Sequence, residues 1–507
     1  MRNEERGTRN EEQGIIPQNS VTIKLIAINN DNSKMVIKSK LKTWAKAIAQ
    51  PGSEFDLTPL SVIEGEIPID LRGTLYRNGP ARLSRGGERV GHWFDGDGAI
   101  LGVHFTDAGA SGVYRYVKTQ GYLDEKAADE FIYPNYGMTA AGAFWNNWTK
   151  PVKNAANTSV LALPDRLLAL WEGGKPYALD LQDLSTIGID RLSNLTDKQP
   201  FSAHPKVDPV TGNIFNYGVG AGKNATLYLY RCDSTGKLEQ QNSHSLSGLP
   251  LIHDFCFAGQ YLVFLVSPVR VNLTSIVLGQ KSYSDAMEWK PQLGTEILIF
   301  DRDDLSLVSS GKADPWYQWH FANGYVNEDG NIVTEFTRYE DFNTNQYLKE
   351  VAFGYTRTSA PGTLWSLTIE PKTAKVIENR QILDAAGEFP LVSPAKVGQN
   401  WRYTYLNVQS NNSRVGEELY NAIARYDRQT GEIAIADMGE KIYPSEPILV
   451  PGEDDPEQGW LLTVVYDGNS DSSEVRIYHS DRLRESPVCR LALPSVIPHS
   501  FHGTWRQ

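Results

Sequence analysis

The stretch ILIFDRDDLSLV, residues 297–308, decides the fold. An apolar run ends at Asp301, a polar turn follows, and a second alternating run leaves, which is how a β-hairpin reads in sequence. The arrangement recurs in LGVHFTDAGASGVYRYV (101–117), YALDLQDLSTIG (177–188), LYLYRCDSTGKLE (227–239), LWSLTIEPKTAKV (364–376), AIARYDRQTGEIAI (422–435) and VRIYHSDRLRESPV (475–488). Aligned on the acid, the units fall at Asp107, Asp180, Asp233, Asp301, Glu370, Asp427 and Asp481, with intervals of 53 to 73 residues. A four-stranded propeller blade takes about 40–50 residues before loop insertions, so seven such units predict an all-β, seven-bladed β-propeller. One hairpin per interval is counted here, and others, such as YVNEDGNIVTEF (325–336), are present.

Composition narrows the function classes. A chain of 507 residues is either several domains or one large closed β architecture. Its net charge of −12 repels polyanions, so no nucleic-acid partner is expected. Cys232, Cys256 and Cys489 are odd in number and far apart, which argues against a disulfide framework and fits a reducing cytoplasm. No run of about 18 apolar residues is present to span a bilayer.

The first segment repeats itself as RNEERG and RNEEQG and is too charged to bury a core; residues 1–34 are expected to be a disordered extension, with Met35 as an alternative start. Residues 35–54 read as a basic amphipathic helix. Leu41, Trp44, Ala45 and Ile48 share one face, Lys38, Lys40, Lys42 and Lys46 lie mostly elsewhere, and Pro51 ends the run. Such a helix suits either a membrane surface or packing against the domain, and both readings stay open. The propeller is assigned to residues 55–507.

Several motifs fail. Gly218, Gly220, Gly222 and Lys223 resemble a phosphate loop, but Tyr217 and Asn224 stand where glycine and a hydroxyl residue are needed. DGDG at residues 95–98 resembles a calcium loop, yet its twelfth position is Thr106, so a tight turn is expected.

Histidine is informative. His244 and His479 sit among polar turn residues and read as solvated, whereas His204 (FSAHPKVDP), His253 (LPLIHDFCF), His320 (WYQWHFANG) and His502 (SFHGTW) adjoin aromatic or apolar residues at strand edges. Only a fold that converges on an axis would gather four histidines so far apart, and the inner strands of a propeller do so. Glu172 (LWEGG), Glu388 (GEFPLVSP) and Glu446 (YPSEPILVP) share that apolar setting. A carboxylate there is costly unless paired, and metal-bound imidazole commonly donates its other N–H to one. Each glutamate read alone is also compatible with a surface turn.

Taken together, GTLYRNGPARL, HWFDGDGAI, NTSV, DRLLALWEGGKP, SAHPKVDP, IHDF, WHFANGY, EFPLVSP, SEPILVP, GWLLTVVYD and FHGTW resemble the carotenoid cleavage oxygenases, nearest in character the cyanobacterial apocarotenoid-cleaving branch, over about residues 55–507. The resemblance implies a seven-bladed propeller with a loop and helix cap over an axial iron(II), one per chain, held by His204, His253, His320 and His502. It implies that Glu172, Glu388 and Glu446 orient ligands, that Thr158 lies near an open iron position, and that Gly503 lets the chain terminus approach the axis. Imidazole alone would also accept zinc, copper or nickel. The expected reaction adds O2 across one double bond of a carotenoid or apocarotenoid and releases two carbonyl products, retinal-type among them. Trp171 and Trp319 are candidates for the substrate channel or, equally, for blade packing. Because such substrates reside in membranes, peripheral membrane association is expected. Two alternatives remain: a stilbene-type (lignostilbene) dioxygenase, for which Lys150 and Tyr133 are candidate phenolate ligands, and a propeller that binds without catalysis.

Overall fold

A computed structural model describes residues 42–143, 145–222, 224–410, 415–416 and 418–507. All seven hairpins expected from the aligned acids are present as antiparallel pairs, and four of them, at Asp180, Asp233, Asp301 and Glu370, carry a register shift. The acids stand there for a physical reason: a carboxylate can accept the backbone N–H groups of the turn it opens. Asp180 takes Gln182 and Asp183, Asp233 takes Thr235 and Lys237, Asp301 takes Asp303, Glu370 takes Lys372 and Thr373, and Asp427 takes Gln429. Asp107 instead holds Arg72.

The hairpins belong to sheets arranged as in a β-propeller. The first runs Phe55–Pro59, Gly109–Tyr116, Asp97–Thr106, Gly73–Arg82 and finally Gly503–Arg506 from the other end of the chain. Ser159–Ala162, Leu167–Leu170, Tyr177–Leu179 and Thr186–Ile189 form the second, and Lys206–Val207, Ile214–Gly220, Thr226–Cys232 and Leu238–Ser245 the third. An eight-stranded sheet follows, its two antiparallel sets joined only where Ala258 pairs with Gly324 in parallel. Gly387–Leu391, Tyr403–Val408, Ala422–Asp427 and Ile433–Asp437 make the next. The last is built on Gly459–Asp467, Ser472–His479 and Cys489–Ala492 and takes Val62–Gly65 as its outer strand. Apolar clusters join each sheet to the next, and one of them, with Leu75, Leu101 and Val103 from the first sheet and Leu462, Val475 and Leu491 from the last, closes the ring. Burial on both faces explains why strands such as Tyr261–Val266 read as unbroken apolar runs.

The two ends are therefore stitched into each other's sheets. The stitch is tight: a Cβ on Gly503 would lie 2.6 Å from the Tyr76 carbonyl oxygen, which is why glycine follows His502.

Two expectations are corrected, and for the N-terminal helix the structure shortens the element and favours one of the two readings left open. The described part of the N-terminal helix is a five-residue 3-10 turn, Trp44–Ile48, whose Trp44, Ala45, Ala47 and Ile48 are buried against Leu83, Val90, Trp93 and Val351. This apolar face packs on the domain and is not open to a membrane; residues 1–41 lie outside the described residues. The DGDG stretch is more than a turn. Asp95 accepts the N–H groups of His92 and Gly137, and Asp97 begins a strand and pairs with Arg85 and Lys153. His244 and His479 are half-buried in strands rather than solvated in turns.

His499 carries a pH prediction. Its Nε2 lies 2.9 Å from the Trp44 carbonyl, and burial pushes the imidazole down to about 4. A histidine depressed below its unfolded value of about 6.5 stabilises the fold fully above that pH and loses its contribution as pH falls toward 4, by up to about 1.4 kcal/mol per pH unit. The thermal midpoint of His499→Gln is expected to fall less than that of the wild type between pH 6.5 and 4; identical acid slopes would refute the assignment.

Candidate metal centre and cavity

Four strands and the residues leading into them deliver the histidines. His204 precedes Lys206–Val207, His253 precedes Cys256–Ala258, His320 lies within Tyr317–Val326, and His502 precedes Gly503–Arg506. All four are brought together: one ring nitrogen from each lies within 4.8 Å of the others. The ring centroids of His204 and His502 are 4.8 Å apart and those of His320 and His502 are 4.7 Å apart.

Hydrogen bonding fixes which nitrogens face inward. His320 Nδ1 is 2.6 Å from Glu388 Oε2, and His502 Nδ1 is 2.8 Å from Glu446 Oε1. An ionised carboxylate only accepts, so each Nδ1 donates and each Nε2 of a neutral ring presents a lone pair. Glu172 stands differently: its Oε1 is 3.3 Å from His253 Nδ1 and 3.5 Å from His204 Nε2, without a formed hydrogen bond. Tyr339 donates to Glu388 Oε1, while Gly503 N–H donates to Glu446 Oε2. Arg77, wholly buried, lies 3.9 Å from that oxygen and donates to the Phe501 carbonyl.

Charge follows this geometry. Burial holds His204 and His253 well below the usual imidazole range, so both are neutral near pH 7. Burial also lowers His502, outweighing Glu446; it opposes a proton on His320 too, but the Glu388 carboxylate raises that ring overall. Burial and the charge of Asp254 push Glu172 well above the usual carboxylate range.

The donor set fits a metal ion. His253 Nε2 and His320 Nε2 are 3.3 Å apart, and His204 Nε2 and His253 Nε2 are 3.1 Å apart. Converging lone pairs repel unless a cation lies among them. With metal–nitrogen bonds of about 2.0–2.1 Å, opposite ligands on one ion stand about 4 Å apart, within the observed span.

Around the cluster lies a cavity of about 500 Å³, inside the range of small-molecule sites. Thr158 lines it, and its carbonyl accepts the His502 N–H. Trp171 lines it beside Glu172, and Trp319 sets its ring edge-on to His253 at 4.7 Å while its indole N–H donates to Thr344. Lys150 and Tyr133 are not in the wall: Lys150 donates to the Ile132 carbonyl and Tyr133 to Asp124.

Two aromatic residues escaped the reading of the sequence. Phe94 stacks parallel to His253 at 6.5 Å. Phe389 covers His320 at 5.3 Å and adopts φ of 57°, a left-handed conformation costly for a bulky residue. Its position next to Glu388 was the available signal; its backbone conformation left none.

Comparison with known proteins agrees with this geometry. Residues 48–507 match the RPE65 family (retinal pigment epithelial membrane protein). The chain is 32% identical to the apocarotenoid-15,15'-oxygenase of Synechocystis sp. over 92% of its own length and 96% of that protein. It is 25% identical to resveratrol cleavage oxygenase 1 of Aspergillus fumigatus, covering 89% and 93% of the two chains. The crystal structure of cobalt-substituted Synechocystis ACO superposes with a TM-score of 0.85 at 32% identity, covering 92% of this chain and 98% of that one. The chain belongs to the RPE65 family, that of the carotenoid cleavage oxygenases.

Proposed function

We propose that the protein is an iron(II) dioxygenase that cleaves a double bond of an apocarotenoid or carotenoid. The observation that carries the reading is the convergence of four imidazoles, two of them tied to carboxylates, on the wall of a largely apolar cavity. His204, His253, His320 and His502 would hold the metal. Ferrous iron in such a set supplies the redox chemistry by which dioxygen adds across a conjugated double bond, leaving two carbonyl products. The chain's own residues do the rest. Glu388 and Glu446 keep the Nδ1 protons in place so that Nε2 remains a ligand, Glu172 stands beside His204 and His253, and Thr158 packs against the His502 backbone. Phe94, Trp171 and Trp319 offer apolar faces that orient an extended polyene and exclude water.

Solved forms of the Synechocystis oxygenase include variants at an adjacent Trp–Glu pair and at a threonine preceding it by the spacing that separates Thr158 from Trp171 and Glu172 here. The stilbene reading has relatives acting on phenolic compounds by name, but Lys150 and Tyr133, its candidate phenolate ligands, are engaged outside the cavity. We further read the architecture as seven blades beneath a loop and helix cap. The parallel bridge at Ala258 and Gly324 supports counting the eight-stranded sheet as two blades, with the five other sheets of four or more strands contributing one each. Purified protein loaded with iron(II) in air is expected to bleach an apocarotenal and yield two carbonyl fragments by mass spectrometry. An intact chromophore, with iron bound, would refute the substrate class.

Peripheral membrane contact is part of the proposal, through a different surface from the one the sequence suggested. Trp145, Trp148, Val152, Val277 and Leu278 are 51–58% exposed, and Val152 also lines the cavity. Burying an apolar side chain contributes about 1.5–3 kcal/mol, so Trp148→Ser with Val277→Ser should lower partitioning onto phospholipid vesicles by about tenfold or more. Ile69→Ser, at an 87% exposed site in another part of the chain, should not. Equal losses would remove the patch from this role. No helix among the described residues is long and apolar enough to cross a membrane.

A further inference from the structure

Asp254, the residue after His253, is 4% exposed and grips the chain beside three of the four histidines. Its Oδ2 accepts the N–H of Phe321, the residue after His320, at 2.9 Å. Its Oδ1 accepts the N–H of Phe255 at 2.8 Å and lies 2.7 Å from the Nζ of Lys206, two residues after His204. Lys206 in turn sits 5.8 Å over the Phe255 ring. The strand that carries His320 needs this support, because its register with the neighbouring strand shifts between Gln318 and Phe321 and again before Asn323. The interrupted ladder leaves the Phe321 N–H to be satisfied from elsewhere, and a buried N–H without a partner is costly.

We propose that Asp254, neutralised by Lys206, is a positioning residue that sets the mutual spacing of His204, His253 and His320 before a metal arrives. The inference rests on reading the four histidines as metal ligands. The bonds of Asp254 run to backbone N–H groups and to Lys206. They fix the backbone from which each ring projects, so a small slack there becomes a displaced Nε2. His502 lies outside the clamp and is held by Glu446 and the neighbouring Arg77 contacts. Glutamates that bond imidazole directly set the tautomer and ring angle, whereas Asp254 sets where the rings start.

The test uses the full chain loaded with cobalt(II), whose visible d–d absorption reports ligand geometry. Asp254→Asn keeps the shape but loses the charge and one acceptor oxygen. It is expected to shift the d–d band and to weaken cobalt binding, measured by chelator competition, by about tenfold or more, the scale of an outer partner of a metal ligand. The unfolding midpoint of the metal-free variant should stay close to that of Asp427→Asn, a buried hairpin acid bound to Arg402 far along the chain, and Asp427→Asn should leave the cobalt spectrum unchanged. A wild-type spectrum and affinity in Asp254→Asn, or equal spectral changes in both variants, would overturn the clamp. If Asp254→Asn does not fold, Lys206→Met removes the ammonium while leaving both backbone bonds, and a spectrum identical to wild type would likewise overturn it. Wild-type protein that takes up no cobalt would overturn the metal reading itself, whereas normal loading beside an unaltered Asp254→Asn overturns only the clamp.

Discussion

His320→Ala is expected to abolish metal loading and with it double-bond cleavage. His320 occupies a central place in the cluster: its Nε2 is 3.3 Å from that of His253, its ring is 5.3 Å from His204 and 4.7 Å from His502, and its Nδ1 is bound to Glu388. Alanine removes one of four nitrogen donors and leaves the Glu388 carboxylate with Tyr339 and the Phe389 N–H as its remaining partners. Loss of an outer partner typically costs about 10–100-fold in metal affinity, so loss of a ligand should exceed about 100-fold. Glu388→Gln supplies the internal scale. It keeps the ring and removes the ionised acceptor, and should fall between wild type and His320→Ala in both metal content and turnover. Elemental analysis of the purified proteins and product mass spectrometry read the two effects separately. Full metal content and activity in His320→Ala would sink the assignment of the centre.

What the sequence makes legible is what depends on neighbours along the chain. The hairpin acids are readable because a carboxylate that accepts the N–H groups of its own turn acts over two to four residues, as Asp233 does with Thr235 and Lys237. The four histidines are readable because each sits in an apolar strand edge where an unpaired imidazole has little reason to be. The shortest inner strands are not: Lys206–Val207 has two residues, too few for any periodicity. Nor is the side on which an amphipathic turn is buried, since the face formed by Trp44, Ala45 and Ile48 suits a bilayer as well as the pocket it fills beside Trp93 and Val351. Arg77, Phe389 and Asp254 were missed for a shared reason. Their roles arise chiefly from partners 48 to 424 residues away, or from a backbone angle, and neither leaves a local trace.

The DGDG stretch illustrates the same limit and carries the largest expected loss of stability. Asp97 Oδ1 is 2.5 Å and Glu125 Oε2 2.7 Å from Lys153 Nζ, while Arg85 lies 2.7 Å from Asp97 Oδ2; all four side chains are 1–2% exposed. Glu125 also accepts the N–H groups of Ile132 and Tyr133. Two cations and two anions thus balance in a dry site that ties the first sheet, the helix Gln120–Ala128 and the segment leading to Asn157 and Thr158. Lys153→Met removes one cation and leaves two buried carboxylates facing one arginine. Breaking a buried pair on one side costs about 3–5 kcal/mol, because the remaining charge has neither solvent nor partner. The sign of the pH effect follows: burial alone would lower Lys153, but Asp97 and Glu125 raise it above the ordinary lysine value. A lysine raised on folding stabilises below its unfolded value of about 10.4 and loses that contribution as pH climbs through its folded value, so the wild type should weaken at strongly alkaline pH and Lys153→Met much less. The decisive measurement is a double-mutant cycle with Asp97→Asn, which restores the charge balance. A coupling above about 1 kcal/mol is expected from denaturant unfolding, and additive losses would show that the four charges do not act as one network.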